Sequence, residues 1–231
     1  MTNKGQDASS PWRARRGWRA GGIAVVLLLV GALVWGETRP QDPAPRGLSP
    51  EGGAVTFAAV GDSLTEARSA DFANGDIGSD SWVWHAATDG LGFAGGWAVW
   101  GAPTSMMAAN VQPVDADVLV VLAGTNDVSL GVPFEQTAAN IAAVVAVAGP
   151  ERVLVSAVPP VDRAAGFEAP TYTHSDYNAL LEEFVRDRGW EWTDAAAGLR
   201  DGGRFLPGMS YDGVHLTEAG AKVMGEAILG E

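Results

Sequence analysis

Apolar runs alternate with segments of helical periodicity along residues 54–231, and this alternation dominates the chain. Continuous apolar runs are typical of buried parallel strands. Such runs predict strands at AVTFAAV (54–60), GWAVWG (96–101), ADVLVVLAG (116–124) and RVLVSAVPP (152–160), with a short fifth at EWTDA (191–195). Helical spacing predicts helices over 82–91, 105–111, 134–149, 175–190 and 217–229. Gly149 and Pro150 would end the third helix, and Ser175 would cap the fourth.

Strands and helices that alternate with short connections predict an α/β fold. The expected architecture is a three-layer sandwich, in which helices cover both faces of a central parallel sheet of about five strands. Ligand sites in such sheets lie at the carboxyl ends of the strands. Four of the predicted strands are followed by residues 62–63, 101–102, 125–127 and 159–160, and three of these four places carry small or polar groups. The segment DGVH (212–215) precedes the last helix, and a long loop could bring it to the same edge.

The first 53 residues follow a different pattern. The basic stretch RARRGWR (13–19) leads into the apolar run AGGIAVVLLLVGALVWG (20–36), and a Pro/Gly-rich segment follows. This order is typical of a secretory signal or a signal anchor. A helix from Ala20 to Trp35 would be about 24 Å long, and Trp18 with Arg19 would extend it towards the roughly 30 Å of a bilayer core.

The residues after the apolar run decide between these two interpretations. VWGET is a poor cleavage site, and no cysteine is present to carry a lipid. We therefore predict a basic cytoplasmic segment (1–19), a transmembrane signal anchor (20–36), a linker (37–53) and an extracytoplasmic domain (54–231) in the cell membrane. A cleaved signal peptide, and hence a secreted domain, is the alternative.

Charge and composition exclude several classes of function. The net charge is −13, with +3 in residues 1–53 and −16 in the remainder. An acidic domain without a basic stripe is a poor nucleic-acid binder, because neutralising phosphates requires clustered cations. The chain has no cysteine and contains neither a Walker A nor a GxGxxG sequence. No cofactor and no metal are implied.

One serine and one histidine stand out as candidate catalytic groups. Ser63, in GDSLTE (61–66), follows the first strand and is either a helix cap or a nucleophile. His85 lies in an aromatic helical stretch and His174 at a helix start, so packing or surface roles explain both. His215 follows Asp212 by three residues, a spacing that brings two side chains together on one helical turn. The carboxylate could then hold Nδ1–H and leave Nε2 free to act as a base.

Donors for a developing oxyanion are also present. Asn126, in GTND (124–127), follows a central strand and could aim its amide N–H at the reacting oxygen. An ordinary Asn-Asp turn is the alternative explanation. After the second strand, the backbone N–H of Gly101 or that of Ala102 could reach the same point.

In this order, Gly-Asp-Ser-Leu, a glycine, Gly-Thr-Asn-Asp and Asp-x-x-His resemble the GDSL, or SGNH, hydrolase family over residues 54–231. The resemblance implies a flavodoxin-like SGNH fold and a serine esterase in which Ser63 is the nucleophile, His215 the base and Asp212 its partner. It also implies an oxyanion hole formed by the Ser63 N–H, Asn126 and the Gly101 N–H. The turn WGAPTSM (100–106) departs from the family pattern, so Ala102 stays an alternative to Gly101. No G-x-S-x-G elbow is present, which disfavours the α/β-hydrolase class.

The expected substrate is an acyl ester. An anchored domain that faces outwards suits O-acyl groups of cell-surface glycans or small lipid esters. Loop 161–174 is long for a strand-to-helix connection and is a candidate substrate lip. An acyltransferase acting on surface polysaccharide and a non-catalytic glycan-binding domain of the same fold are the alternatives. Large side chains near the first two motifs could line a pocket, although most are expected in the core: Trp82, Trp84, Trp97, Trp100, Met106 and Met107.

Overall fold

The computed structural model describes residues 55–87, 91–162 and 173–228. The predicted N-terminal segment, anchor and linker lie outside these ranges, as does most of loop 161–174. None of the helices in the described ranges is long and apolar enough to cross a membrane. The membrane anchor therefore stays a prediction from the sequence.

Five parallel strands form one sheet, which confirms the predicted α/β class. They are β1 (Val55–Gly61), β2 (Leu91–Ala98), β3 (Val118–Leu122), β4 (Arg152–Ser156) and β5 (Glu191–Thr193). Their order across the sheet is β2-β1-β3-β4-β5. All five residues of β3 are buried, as are the last five of β1, so the core runs through the centre of the sheet.

Helices flank this sheet. They are α1 (Ser63–Glu66), α2 (Trp82–Ala86), α3 (Thr104–Asn110), α4 (Thr125–Leu130), α5 (Phe134–Ala148), α6 (His174–Asp187) and α7 (Glu218–Ile228). Helix α2 packs against α7, and α3 packs against α5. A short antiparallel hairpin, β6 (Arg200–Asp201) with β7 (Arg204–Phe205), follows the sheet.

The second strand differs most from its prediction. Helix α2 ends five residues before the predicted 82–91 helix would, and β2 begins at 91 rather than 96. Gly92, Gly95 and Gly96 interrupt the apolar pattern, since glycine is depleted in strands. At Gly96 a Cβ would lie 2.0 Å from the carbonyl oxygen of Ala59 on β1, and the register of pairing shifts next to this point. The close approach of the two backbones therefore requires glycine here, and the glycines obscure the apolar pattern from which the strand would be predicted.

Two further elements differ from the sequence-based predictions. The segment after β3, which could be an Asn-Asp turn, begins α4 instead. The cap of α6 is Thr173, so the prediction of Ser175 was wrong. The Thr173 hydroxyl accepts a hydrogen bond from the Asp176 N–H at 3.1 Å, and the Asp176 carboxylate accepts one from the Thr173 N–H at 2.9 Å. This reciprocal pair is a capping box, which a single serine at 175 could not supply.

The large side chains near the first two motifs divide between the core and the surface. Trp82 and Met107 are fully buried. Trp84 and Trp97 are partly buried and pack against the core. Only Trp100 and Met106 are exposed, at 53% and 43% of their surface. Most of the set therefore serves packing, and Trp100 requires another explanation.

The capping box predicts unequal effects of two neighbouring substitutions. Thr173→Ala removes the side-chain acceptor of the cap and should lower the free energy of unfolding by about 1 kcal/mol. Ser175→Ala, on the first turn of the same helix, should change it by less than about 0.5 kcal/mol. Urea unfolding followed by circular dichroism measures both. Equal losses in the two variants would contradict the assigned cap.

Candidate active site

The turn from β1 into α1 places Ser63 at the carboxyl end of the sheet. Asp62 caps the helix, because its Oδ1 accepts a hydrogen bond from the Leu64 N–H at 3.0 Å. Ser63 is the first residue of α1 and is 7% exposed. Its backbone N–H has no hydrogen-bond partner within the described part of the chain. Ser63 is therefore almost fully buried, and its own backbone N–H is available as a hydrogen-bond donor.

Ser63, His215 and Asp212 form one continuous hydrogen-bonded line. Nε2 of His215 lies 3.1 Å from Oγ of Ser63, and Nδ1 lies 2.6 Å from Oδ2 of Asp212. The sequence predicted that these three side chains meet, and the structure places them so. With the ring proton on Nδ1, that nitrogen donates to the carboxylate and Nε2 can accept from the serine hydroxyl.

The Asp212 carboxylate is held by the turn that it begins. Its Oδ1 accepts hydrogen bonds from the N–H groups of Val214, at 2.9 Å, and His215, at 2.7 Å. Partial burial raises the pKa of Asp212, but the hydrogen bonds from the His215 ring and from these backbone groups outweigh it. The net pKa therefore lies below its ordinary value. The carboxylate stays charged beside the imidazole at neutral pH.

Hydrogen bonds to the segment after β4 and within the loop itself hold this turn. The Asp162 N–H, past the end of β4, donates to the Gly213 carbonyl at 2.7 Å. Gly213 has a φ of +83°, and a Cβ there would lie 2.3 Å from the Asp162 carbonyl oxygen, so only glycine fits. The Ser210 hydroxyl donates to the His215 carbonyl at 2.7 Å and accepts from the Gly213 N–H at 2.9 Å. The loop therefore closes on itself around His215.

Asn126 lies beside Ser63, with its amide already engaged. Nδ2 donates to Oδ2 of Asp62 and to the Ala102 carbonyl, both at 3.1 Å. The side chain therefore links the ends of β1 and β3 to the turn after β2. The sequence pointed to Asn126 as an oxyanion donor, and these hydrogen bonds hold its N–H groups next to the serine turn.

Asp62 is a fully buried carboxyl next to the candidate nucleophile. Burial, together with the charge of nearby Asp127, raises its pKa from 3.8 to about 7. The hydrogen bonds from Leu64 and Asn126 act in the opposite direction and are outweighed. No role for Asp62 was predicted from the sequence, although its place inside the GDSL motif was a signal for one.

A second buried carboxylate, Asp127, fixes the neighbouring helices. It accepts hydrogen bonds from the Thr104 N–H at 2.9 Å, from the Thr104 hydroxyl at 2.5 Å and from the Thr137 hydroxyl at 3.2 Å. Asn140 in turn donates to the Thr104 hydroxyl at 3.0 Å. These contacts tie α4 to α3 and α5. Nothing in the sequence pairs these threonines with Asp127, since the contact depends on how the helices pack.

The two candidate backbone donors after β2 differ in their partners. The Ala102 N–H donates to the Val99 carbonyl at 3.2 Å and is occupied. The Gly101 N–H has no partner among the described residues. Of the two alternatives, the structure leaves Gly101 as the unengaged donor.

A pocket opens beside Ser63 and His215. Arg68 reaches it from a turn in which Ala67 and Arg68 have φ values of 38° and 59°, a left-handed region that residues other than glycine rarely adopt. The Arg68 guanidinium lies 3.4 Å from the Asp80 carboxylate. The walls are mixed apolar, aromatic and charged side chains: Leu64, Arg68, Asp80, Trp100, Tyr211 and Leu216. Arg68, Asp80 and Tyr211 were not predicted from the sequence, although Tyr211 directly precedes the Asp-x-x-His motif.

The other two histidines lie away from this line. Nε2 of His85 lies 2.8 Å from the Ser79 carbonyl oxygen, and His174 is buried at the start of α6. Both positions agree with the packing roles expected from the sequence. Within the described ranges, no group of three or more His, Asp or Glu side chains is arranged to hold a metal ion.

Comparisons with known proteins concern the family and the fold of the chain. The model of the GDSL-like lipase/acylhydrolase family matches residues 59–223. A member of the lipolytic protein G-D-S-L family from Veillonella parvula DSM 2008 is similar in structure, with a TM-score of 0.57, 14% identity and coverage of 77% of this chain and 97% of its own. A GDSL-like lipase from Bacteroides thetaiotaomicron VPI-5482 has a TM-score of 0.56, 19% identity and coverage of 75% and 85%. At these identities the structural likeness concerns the fold. No curated protein matched the sequence.

The raised pKa of Asp62 predicts how stability depends on pH. Between about pH 4 and pH 7 the unfolded chain releases this proton while the folded chain keeps it. The carboxyl therefore costs the fold progressively more as the pH rises, up to a few kcal/mol at pH 8. Asp62→Asn should remove this slope from the free energy of unfolding, measured by urea denaturation at several pH values.

Asp117→Asn is the control for that experiment. The hydrogen bonds from Thr56 lower the pKa of Asp117, so this carboxylate is charged in both states above pH 5. Its substitution should shift the whole stability curve by a constant amount between pH 5 and pH 8. A wild-type slope that persists in Asp62→Asn would exclude Asp62 as its source.

Proposed function

Since the chain belongs to the GDSL-like lipase/acylhydrolase family and is a hydrolase that acts on ester bonds, we propose that it cleaves O-acyl esters through a Ser63–His215–Asp212 triad. The observation that carries the proposal is the continuous hydrogen-bonded line from the Ser63 hydroxyl to the Asp212 carboxylate. A nucleophile, a base and a group that orients the base are the parts required for acyl transfer through a covalent intermediate.

In the first step, Nε2 of His215 takes the proton of the Ser63 hydroxyl as Oγ attacks the ester carbonyl. Asp212, kept ionised by its hydrogen bonds, stabilises the imidazolium that forms. The protonated Nε2 then gives its proton to the leaving alcohol oxygen, and an acyl-serine remains. Water, deprotonated by His215, attacks this acyl group and releases the carboxylic acid together with free Ser63.

The tetrahedral oxyanion requires donors close to the carbonyl oxygen. The N–H groups of Ser63 and Gly101 are unengaged within the described chain and supply two of them. Asn126 supplies the third, once its amide shares or exchanges a hydrogen bond now made to Asp62 or Ala102. Backbone donors and a tethered amide cost little reorganisation during reaction, which is the basis of their catalytic effect.

The pocket favours a short acyl ester on a polar alcohol. Arg68 and Asp80 place charged groups close to the nucleophile, and a long alkyl chain would have to desolvate them. The exposed rings of Trp100 and Tyr211 present apolar faces beside these polar groups, a combination suited to a sugar. We infer that the substrate is an O-acylated glycan, and that a small lipid ester is the second candidate. A cell-surface location through residues 20–36, still a prediction, would give access to either.

Removal of the nucleophile or the base tests the mechanism. We expect Ser63→Ala and His215→Ala each to lower the hydrolysis of p-nitrophenyl acetate by at least about 10³-fold. The first variant lacks the nucleophile, and the second lacks the base that activates it. Residues 54–231 and the full chain should be assayed in parallel, with a series of acetate, butyrate and octanoate esters. Activity that survives in either variant would exclude the triad.

The same ester series also separates the alternatives for the overall reaction. Loss of acyl-donor ester without release of free acid, in the presence of a polysaccharide acceptor, would identify an acyltransferase. A wild-type protein that binds glycan but turns over no ester would identify the binding-domain alternative. A preference for octanoate over acetate would contradict the short-acyl substrate.

Asn126 gives a separate prediction for the oxyanion hole. Asn126→Ala should lower kcat by about 10²–10³-fold with a smaller change in KM, since an oxyanion donor acts mainly in the transition state. Asn110→Ala, the same change at an exposed position on α3, is the control and should leave both constants unchanged. A loss of less than about tenfold in kcat would assign Asn126 a purely structural role.

A further inference from the structure

Two aromatic rings lie nearly parallel to the imidazole of His215. The Trp100 ring is stacked on it, with ring centroids 4.2 Å apart and an angle of 22° between the planes. The Tyr211 ring is 5.7 Å away at an angle of 18°. A centroid separation near 4 Å with almost parallel planes is a face-to-face contact. The contact covers the imidazole of the candidate base with aromatic surface.

Neither aromatic side chain is explained by the core. Trp100 is 53% exposed and Tyr211 is 49% exposed, so each leaves much of its apolar surface in water. Trp100 lies in the turn between β2 and α3, and Tyr211 lies in the loop before α7. These two segments are far apart in sequence and meet at His215. Both rings contact the His215 imidazole, which lies between Ser63 and Asp212.

An aromatic face attracts a cation. The ring quadrupole is negative above its plane, and a cation within about 6 Å of the centroid is stabilised, most strongly over tryptophan. Both centroids lie within that distance of the imidazole centroid. The imidazole is uncharged before proton transfer and carries a positive charge immediately after it. Face-on stacking therefore favours the protonated ring over the neutral one.

From this geometry we propose that Trp100 and Tyr211 are positioning residues, which hold the His215 ring in the plane of the triad and stabilise it when it carries a proton. The catalytic consequence rests on the proposed function, whereas the effect on the ring itself does not. Trp100 supplies most of the effect, because its centroid is the nearer one and indole has the larger quadrupole.

Charged groups around His215 also act on its protonated ring, and their effect is separate from that of the aromatic faces. Asp212 contacts Nδ1 and favours the protonated ring in all variants. Arg68 opposes it, but is paired with Asp80 at 3.4 Å and lies over the Tyr211 ring at 5.5 Å. Partial burial, with the charge of Asp212, raises the pKa of Tyr211 above its ordinary value, so its hydroxyl is uncharged at neutral pH. Substitution of Trp100 leaves each of these groups in place.

The test is a titration of the His215 ring by NMR in the folded full-length chain. Only three histidines are present, and the missing signal in His215→Asn assigns the resonance. In Trp100→Leu, which keeps an apolar cover but removes the π-system, the titration midpoint should move to lower pH by about 0.5 unit. In Trp100→Phe, which keeps an aromatic face, the movement should be less than half as large. The pH profile of kcat/KM should show the same displacement of its acidic limb.

Two variants of Tyr211 complete the test. Tyr211→Phe keeps the ring and loses the hydroxyl, so the midpoint should stay within 0.1 to 0.2 unit of wild type, at roughly the precision of such a titration. Tyr211→Leu should move it in the same direction as Trp100→Leu, by a smaller amount, and carries the test if Trp100→Leu does not fold. A midpoint that is unchanged or higher in the Leu variants, or equal in Trp100→Leu and Trp100→Phe, would overturn the proposal. A displaced midpoint with an inactive wild type would retain the stacking effect and exclude the esterase mechanism.

Discussion

Two buried carboxyl groups, one following β1 and the other following β3, accept the hydrogen bonds that hold the site together. Asp62 joins the serine turn after β1 to Asn126 after β3. Asp127, one residue further along, joins the same segment to the start of α3 after β2. Three strand ends are therefore fixed relative to one another by two buried acidic side chains. Burying carboxyls is costly unless every lone pair is used, and here donors from backbone, hydroxyl and amide surround them.

This arrangement explains why the pKa of Asp62 is raised in the folded protein. Asp62 and Asp127 lie close enough to raise the energy of a second negative charge, and no cation among the described residues is bonded to either. A neutral Asp62 removes that repulsion and also keeps a negative charge away from the place where an oxyanion would develop. The same residue that shapes the serine turn thus influences its electrostatics.

Much of the site could be predicted from sequence because its parts follow strand ends. Ser63, Asn126 and Gly101 come directly after apolar runs, and parallel strands bring such positions to one edge. Asp212 and His215 were predictable as a pair from their spacing. The early start of β2 was not, since its glycines respond to the backbone of β1. Thr104, Thr137 and Arg68 were not predictable either, because they enter through packing between segments that have no local signal for one another.

The proposed nucleophile and the proposed base are held by different kinds of contact. Ser63 is attached to a central strand of a buried sheet, whereas His215 belongs to a loop secured by a few hydrogen bonds to Asp162, Ser210 and its own turn. Local opening of such a loop needs less free energy than unfolding of a sheet. Opening of this loop alone separates the candidate base from the candidate nucleophile while the sheet stays folded. The stability of the sheet is therefore not a measure of the stability of the site.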